Sequence, residues 1–179
     1  MNKKVNIKWL IKIVLISVAA SMTFTLASAE ILGRSSYTAA FVFLAVFISI
    51  GIVFDIVALA VTTASEAPFN SMAAHRERGA AESLRLIKNA DRVNSFCNDV
   101  IGDVTGIVSG STAALIAARL MQSLSIENIL LQLLISGAVT GLTIGGKAAG
   151  KVFALNNNTS IVLRVGKLIS VISPKTTVR

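Results

Sequence analysis

Four long apolar stretches constrain this chain more than any other feature of its sequence. Each is long enough to cross the ~30 Å hydrocarbon core of a bilayer, which requires about 20 helical residues. They run from Trp9 to Ala29, from Tyr37 to about Ser65, from about Ser95 to Leu120 and from about Ile126 to Gly146. Hydrophobic residues make up 54% of the chain and charged residues only 15%, whereas soluble domains carry roughly 25% charged residues. We therefore predict an all-α membrane protein with a three-span helical core and an additional N-terminal span.

The first stretch also has the character of a secretory signal. Three lysines precede it, and residues 27–29 read Ala-Ser-Ala, which is typical of a cleavage site. Its apolar run is nevertheless long enough to remain in the membrane, and we favour a retained span. We treat residues 1–36 as an N-terminal span or signal-like segment, because both interpretations leave residue 30 outside.

Basic residues are distributed unevenly between the segments that connect the spans. With the N-terminus inside, 15 of the 17 basic residues lie on the inner side, and only Arg34 and Arg119 lie outside. Lysine and arginine accumulate in cytoplasmic segments of membrane proteins, so we expect both termini to lie in the cytoplasm. We expect the chain to reside in the plasma or inner membrane. The accumulation of lysine and arginine in these cytoplasmic segments accounts for the net charge of +8. Because basic and aromatic residues do not interleave, we expect no nucleic-acid partner.

Two cytoplasmic segments accompany the spans. Residues 70–93 are charged and helix-prone, and Pro68 before them is expected to end or bend the second span. Residues 151–179 form a tail that alternates apolar and basic positions, which predicts an amphipathic helix on the inner membrane surface. A loop at residues 156–158, which read Asn-Asn-Asn, separates this tail from the last span. The domain boundaries are therefore 1–36, 37–150 and 151–179.

Glycines recur at intervals of four residues in the last two spans. Gly102, Gly106 and Gly110 lie in the third span, and the fourth contains Gly137, Gly141 and Gly145. Stripes of small residues let helix backbones approach closely in lipid. We expect these spans to pack on each other or on a second copy of the chain, and we favour a homodimer.

Carboxylates inside apolar spans are the candidate functional groups. A charge at the bilayer centre costs at least ~2.5–3.5 kcal/mol, so a sequence that keeps one usually has a use for it. Asp55 lies within the second span, and a helix would place Thr62 and Glu66 on the same face. Asp99 and Asp103 share a face of the third span. Alternatively, Glu66, Asp99 and Asp103 pair with nearby arginines at the cytoplasmic ends.

These side chains predict an oxygen-rich pocket between the spans. Hydroxyl and carboxylate oxygens are the ligands that Mg²⁺ prefers. Its candidate ligands are Thr63, Ser65, Glu66, Asp99, Asp103 and Asp55. Softer metals are disfavoured because His75 and Cys97 each have no second residue of their kind. With one histidine in a charged segment, no credible nucleophile–His–acid set exists, and we do not expect an enzyme.

An ordered series of motifs from about Gly51 to Pro174 resembles the transmembrane domain of the CNNM/CorB/CorC family of magnesium transport proteins. Residues 63–67 read Thr-Ala-Ser-Glu-Ala, similar to the family's Ser-x-Ser-Glu-Thr-Ala. Residues 84–92 read Leu-Arg-Leu-Ile-Lys-Asn-Ala-Asp-Arg, similar to Leu-Leu-x-Asn-Pro-Asp-Arg. Residues 101–103 read Ile-Gly-Asp where the family has Ile-Gly-Asn, and residues 147–150 match the exit from its last span.

The resemblance implies a dimeric three-span domain that binds a dehydrated Mg²⁺ and is linked to Na⁺-coupled Mg²⁺ movement. It places Thr63 and Ser65 at the hydroxyl positions, Glu66 at the motif's acid and Asp103 at the family's asparagine. The last span departs from the pattern, because Thr143 stands where the family has an ion-binding glutamate. The family's paired cytoplasmic CBS domains have no counterpart in these residues, so we expect no nucleotide regulation through them.

Two functions therefore stay open. The first is divalent-cation transport, with Mg²⁺ as the leading ion. The second is a degenerate, non-transporting member that acts as a membrane interaction or partner protein. The carboxylates of the second and third spans favour transport, whereas the missing acid in the last span favours the partner protein.

Overall fold

The computed structural model describes residues 7–34, 36–124 and 129–172. In these ranges the chain is helical except for residue 36 and short breaks at residues 64–65, 75–79 and 89, and they contain no strand. The helices are α1 (Ile7–Arg34), α2 (Tyr37–Thr63), α3 (Glu66–Ala74), α4 (Ala80–Lys88), α5 (Ala90–Asn94), a π-helix (Ser95–Gly102), α6 (Asp103–Leu124) and α7 (Ile129–Ile172). Four helical segments are long and apolar enough to cross a membrane: α1, α2, the run from Ala90 to Leu124, and α7. This agrees with the predicted all-α membrane class.

The chain divides into two compact units. The first comprises Met1–Ile52 and Asp99–Gly146, and the second comprises Val53–Asn98 and Lys147–Arg179. Each unit has its own packed interior.

Apolar and aromatic side chains of α2 and α6 form the interior of the first unit. One cluster contains Ala40, Leu44 and Ile116, and another contains Phe47, Val104 and Val108. Phe47 also contacts Phe24 of α1, edge to face at 5.2 Å between ring centroids, which is a favoured geometry for aromatic pairs. These contacts bury one side of α2 against its neighbours.

The second unit has a separate interior, in which the end of α2, α3 and the C-terminal part of α7 meet. Its buried members are Ala60, Val61, Phe69, Ala154 and Val162. Phe69 is fully buried, so α3 is held by its single large aromatic side chain. Burying a side chain of this size contributes roughly 1.5–3 kcal/mol.

The helix-prone segment 70–93 is not one continuous helix, because it contains the end of α3, all of α4 and most of α5. Arg76 and Gly79 both have positive φ, 56° and 85°, which a continuing α-helix does not accommodate. Asn89 then separates α4 from α5 with φ −113° and ψ 28°. The chain therefore turns twice within a segment whose composition alone indicated continuous helix.

The sequence suggested that Pro68 ends or bends the second span. In the structure it does not end α2. α2 ends at Thr63, and Ser65 takes an extended conformation and caps α3, its Oγ accepting from the backbone N–H of Ala67 at 3.4 Å. Pro68 then falls in the first turn of α3, where a missing N–H costs no helical hydrogen bond. The cap and the proline together begin a new helix.

The expected loop at residues 156–158 is a kink inside one long helix. α7 continues from Ile129 to Ile172, and Asn157 alone has non-helical angles, φ −127° and ψ 20°. The Asn157 side-chain amide donates to the Phe153 carbonyl at 3.1 Å. A side chain therefore satisfies a carbonyl near the point where the helix bends, which allows the chain to continue as helix.

The part of α7 after the kink packs closely against the start of α4 through two glycines, Gly79 and Gly166. A Cβ at Gly166 would overlap Ser83 Oγ and the Gly79 carbonyl, and a Cβ at Gly79 would lie 2.6 Å from the Lys167 backbone nitrogen. Ser83, fully buried, donates to the Gly79 carbonyl at 2.8 Å and also lies 3.1 Å from the Val162 carbonyl. Only residues without a side chain permit this approach, so the two glycines fix where the tail lies.

Candidate functional site

The end of α2 brings three of the predicted ligands together because they are close in sequence. Thr63 lies in the last turn of α2 and donates its hydroxyl to the Leu59 carbonyl at 2.7 Å. Ser65 caps α3, and Glu66 is the first residue of that helix. All three side chains are exposed. A hydroxyl that donates its proton to a carbonyl keeps its oxygen lone pairs free, so Thr63 can still act as an oxygen ligand.

An asparagine from the kink of α7 closes this helix end. The Asn158 side-chain amide donates to the Thr63 carbonyl at 3.2 Å. The side-chain oxygen of the same residue, Asn158 Oδ1, accepts a hydrogen bond from the backbone N–H of Thr159 at 2.7 Å. Sequence reasoning treated Asn158 as part of a loop and missed this role. The signal was present in the run of three asparagines, since asparagine side chains readily satisfy free backbone groups at helix ends.

Asp55 is the one predicted ligand that the structure buries. It is 9% exposed and lies on the buried side of α2, which also includes Leu44, Phe47, Gly51 and Ala58. No described residue forms a hydrogen bond or ion pair with its carboxylate. Its oxygens are not among the completely inaccessible unpaired atoms of the described residues, so the side chain is largely but not fully buried. A carboxylate in such a position is costly unless it is paired, hydrated or holds a cation, so its presence here requires an explanation.

The expected alignment of Asp55, Thr62 and Glu66 along one helix face is wrong for Glu66, while Asp55 and Thr62, seven residues apart in α2, do share a face. α2 ends at Thr63, so Glu66 belongs to a different helix. Thr62 is exposed and Asp55 is buried, and the Thr62 hydroxyl donates to the Ala58 carbonyl at 3.0 Å. A uniform turn of 100° per residue no longer applies once the capping serine starts a new helix.

Asp99 lies in the π-helix, and Asp103, four residues later, lies just beyond its end in α6. Both are exposed, and Asp103 is the first residue of α6. The eight-residue π-helix that contains Asp99 was not expected from the sequence, and π-type turns occur frequently at functional sites. These two aspartates belong to the first unit, whereas Asp55, Thr63, Ser65 and Glu66 belong to the second.

Carboxylates alone do not assemble a metal site in the described part of the chain. No three His, Cys, Asp or Glu side chains among residues 7–34, 36–124 and 129–172 form a group that could hold a metal ion. A Mg²⁺ site would therefore take most of its ligands from hydroxyl, amide and carbonyl oxygens, which is acceptable chemistry for this ion.

The glycine stripes face open space within the chain. A Cβ placed on Gly106, Gly110, Gly137, Gly141 or Gly145 would meet no atom of the described residues within 4 Å. The first stripe also includes Gly102, which is buried. At the five open positions the stripes therefore do not pack on each other within one chain.

Gly51 is a close-contact glycine that sequence reasoning did not single out. A Cβ there would lie 2.7 Å from Thr105 Oγ1, so the Thr105 side chain of α6 lies directly against the α2 backbone at this level. Gly51 stands outside both regular stripes, and no spacing in the sequence marked it. One turn further along α2 is Asp55.

A row of buried hydroxyls runs along α6. Thr105, Ser109 and Thr112 are 6%, 3% and 0% exposed, and their spacing of four and three residues places them on one helix face. Thr105 and Ser109 donate to backbone carbonyls of the preceding turn, at 2.8 Å and 2.7 Å. Among the described residues, Thr112 Oγ1 has no hydrogen-bond partner.

Replacing this unpaired hydroxyl should stabilise the protein. Thr112→Val keeps nearly the same shape and removes a buried group that costs about 1–3 kcal/mol when unsatisfied. We expect the melting temperature of the detergent-purified variant to rise. Ser109→Ala is the matched control, and it should give no rise because Ser109 loses a hydrogen bond. An unchanged or lower melting temperature for Thr112→Val would show that water or another group pairs with this hydroxyl.

Comparisons with models of protein families, with curated proteins and with solved structures find no match to this chain.

Proposed function

We propose that this chain is a multi-pass membrane protein that binds and moves a divalent cation, with Mg²⁺ as the leading ion. The observation that supports it most strongly is Asp55, a buried carboxylate in an apolar helix with no partner among the described residues. Ionisable groups in membrane-spanning segments usually serve an ion or substrate pathway. A cation would compensate the burial of this charge.

The remaining ligands are proposed from oxygen chemistry. Thr63, Ser65 and Glu66 lie where one helix ends and another begins, and interrupted helices in transport proteins present backbone and side-chain oxygens to ions. Asp99 and Asp103 supply two further carboxylates. The resemblance to the CNNM/CorB/CorC transmembrane domain implies ion-binding roles for Thr63, Ser65, Glu66 and Asp103, whereas Asp55 and Asp99 are candidates from their own carboxylate chemistry.

The orientation and location of the chain belong to the same proposal. Both termini lie in the cytoplasm, and the chain resides in the plasma or inner membrane. The 15 to 2 distribution of basic residues supports this orientation.

Transport assays of purified protein in liposomes test the proposal. A Mg²⁺-sensitive dye inside the vesicles should report influx with wild type, and Asp55→Asn should reduce the rate at least tenfold because the amide cannot neutralise the ion. Glu82→Gln, which makes the same chemical change in α4, should transport at the wild-type rate. Equal influx in wild-type and empty liposomes would reject transport.

The second candidate is a non-transporting membrane partner protein. Two observations favour it: no three acidic, histidine or cysteine side chains of the described chain group around a metal position, and the glycine stripes are open. It is preferred if Mg²⁺ neither crosses the membrane nor changes the melting temperature.

We also propose that the chain forms a homodimer through the two glycine stripes. The open space beside Gly106 and Gly141 would allow another helix backbone to approach closely. Leucine at either position would occupy that space. We expect Gly106→Leu and Gly141→Leu to lower the yield of cross-linked dimer in membranes severalfold.

A matched control for this prediction is Ala138→Leu, which adds the same side chain to α7 at an exposed position outside the stripes. It should leave cross-linking at the wild-type yield. Unchanged dimer in both glycine variants would show that the stripes are not the interface.

A further inference from the structure

The part of α7 after the kink presents a face that is both apolar and basic. Leu168, Val171 and Ile172 are 64%, 60% and 83% exposed. Arg164 and Lys167 are also exposed and lie on the same side, because residues three, four and seven apart share a helix face. We call these five residues the outer tail face.

The opposite side of this helix is already occupied. Val162 and Gly166 are buried, and Gly166 contacts the backbone of α4 directly. Lys167, at the edge of the outer tail face, forms a 3.5 Å ion pair with Glu77, but both side chains are exposed, so this pair is weak and leaves the lysine able to exchange Glu77 for a lipid phosphate. The helix therefore cannot turn its outer face inward without breaking the glycine contact, and the outer tail face stays exposed in a fixed direction.

This differs from the amphipathic face expected from the sequence. That expectation treated all apolar positions of the tail as one face, whereas the structure buries Val162 and exposes Leu168 and Ile172. What remains for an external surface is a smaller apolar patch with basic residues directly beside it.

Charge decides which surface fits this patch. Six basic residues and no acidic residue occur after residue 127: Lys147, Lys151, Arg164, Lys167, Lys175 and Arg179. The same helix begins as a candidate membrane span. A helix with exposed leucine, valine and isoleucine beside arginine and lysine suits the boundary between lipid headgroups and acyl chains, where basic side chains reach the phosphates.

We propose that the outer tail face binds the surface of an anionic phospholipid leaflet. Leu168, Val171 and Ile172 insert below the headgroups, and Arg164 and Lys167 contact lipid phosphates. The neighbouring basic residues strengthen the attraction, which is electrostatic and therefore depends on the fraction of anionic lipid and on salt. This inference does not depend on the proposed ion transport.

An environment-sensitive fluorophore on Leu168→Cys tests the proposal in the full chain. The native Cys97 is replaced by alanine, and the protein is reconstituted in vesicles of phosphatidylcholine with or without phosphatidylglycerol. We expect emission to shift to shorter wavelength as the anionic fraction rises, and the shift to be lost in high salt. Arg164→Gln combined with Lys167→Gln should abolish the shift.

The matched control removes two exposed basic residues elsewhere in the second unit, Arg78→Gln with Lys88→Gln. It should keep most of the shift, because those residues lie outside the outer tail face. Three results overturn the proposal: emission that is independent of anionic lipid, equal loss of the shift in both double variants, and disulfide cross-linking of two chains through Leu168→Cys. The last result would assign the face to a second copy.

Discussion

Millimolar Mg²⁺ should raise the melting temperature of the purified protein, and Asp103→Ala should abolish that rise. A ligand that only the folded state binds stabilises it by about 2.7 kcal/mol at a concentration of 100 times Kd. Asp103 begins α6 and lies one turn from Asp99. Two neighbouring carboxylates repel each other, and a divalent cation between them neutralises both charges. We expect the loss of Asp103 to abolish binding and the loss of Asp99 to weaken it, because only Asp103 stands at a position that the family resemblance assigns to the ion site.

A graded series of variants distinguishes the ligands by chemistry. Asp99→Ala should weaken the rise, and Ser65→Ala should weaken it less, because serine contributes one neutral oxygen. Asp103→Asn should keep part of the rise, since the amide still offers an oxygen. Mg²⁺ requires near-octahedral oxygens at ~2.0–2.1 Å, so Ca²⁺ should stabilise the protein less than Mg²⁺ does.

Lys147→Ala provides the control, because lysine cannot be a ligand, and it should keep the full rise. The site is misassigned if Mg²⁺ leaves wild type unchanged, or if Asp103→Ala melts with the same Mg²⁺-dependent rise as wild type. The partner-protein function would then be preferred.

The long helices were predictable because composition determines them. A run of apolar residues long enough to cross a bilayer has few alternatives to helix, since every backbone group must be hydrogen-bonded internally. The start of α2 at Tyr37 was predicted correctly, and its end differs by two residues from the predicted one. That difference arises from Ser65, whose side chain caps the next helix.

The interruptions were harder to predict because they depend on single residues in unusual backbone conformations. Gly79 is a residue type that favours positive φ, but Arg76 with φ 56° has no such marker in the sequence. The docking of the tail depends on Gly79 and Gly166, which are far apart in sequence. Spacing rules describe one helix at a time, so they identified the open stripes and missed the closed contacts at Gly51 and Gly166.

For the candidate site, the sequence identified residue types but not their environments. All three aspartates were candidate intramembrane carboxylates, although Asp99 and Asp103 could also pair with arginines at the cytoplasmic ends, whereas no basic residue lies in the span of Asp55. The structure buries only Asp55, because that position faces the packed side of α2, while the other two side chains are exposed. Burial depends on neighbouring helices, which no local pattern describes.

The contact between Gly79 and Gly166 should be the most sensitive packing point in the second unit. Gly79→Ala combines two costs. A side chain at φ 85° costs about 1–2 kcal/mol, and its Cβ would lie 2.6 Å from the Lys167 nitrogen. Overpacking of this kind adds about 1–3 kcal/mol. We expect the melting temperature to fall markedly, by the equivalent of roughly 2–5 kcal/mol.

Gly166→Ala approaches the same contact from the other helix. Alanine would gain about 0.5–1 kcal/mol over glycine in an open helix, but here its Cβ overlaps Ser83 Oγ and the Gly79 carbonyl. The clash involves backbone, which cannot move aside without separating the helices, so the net effect should be destabilising. Ser160→Ala, at an exposed position of α7, should leave the melting temperature unchanged.

The double variant decides whether the two glycines act as one contact. Once Gly79→Ala has pushed the helices apart, Gly166→Ala meets less resistance, so the combined loss should be smaller than the two single losses added together. A probe on the outer tail face should then also lose its fixed environment, because the contact that orients the helix is gone. Strictly additive losses, or a Gly166→Ala variant as stable as wild type, would show that α7 is not held to α4 at this point.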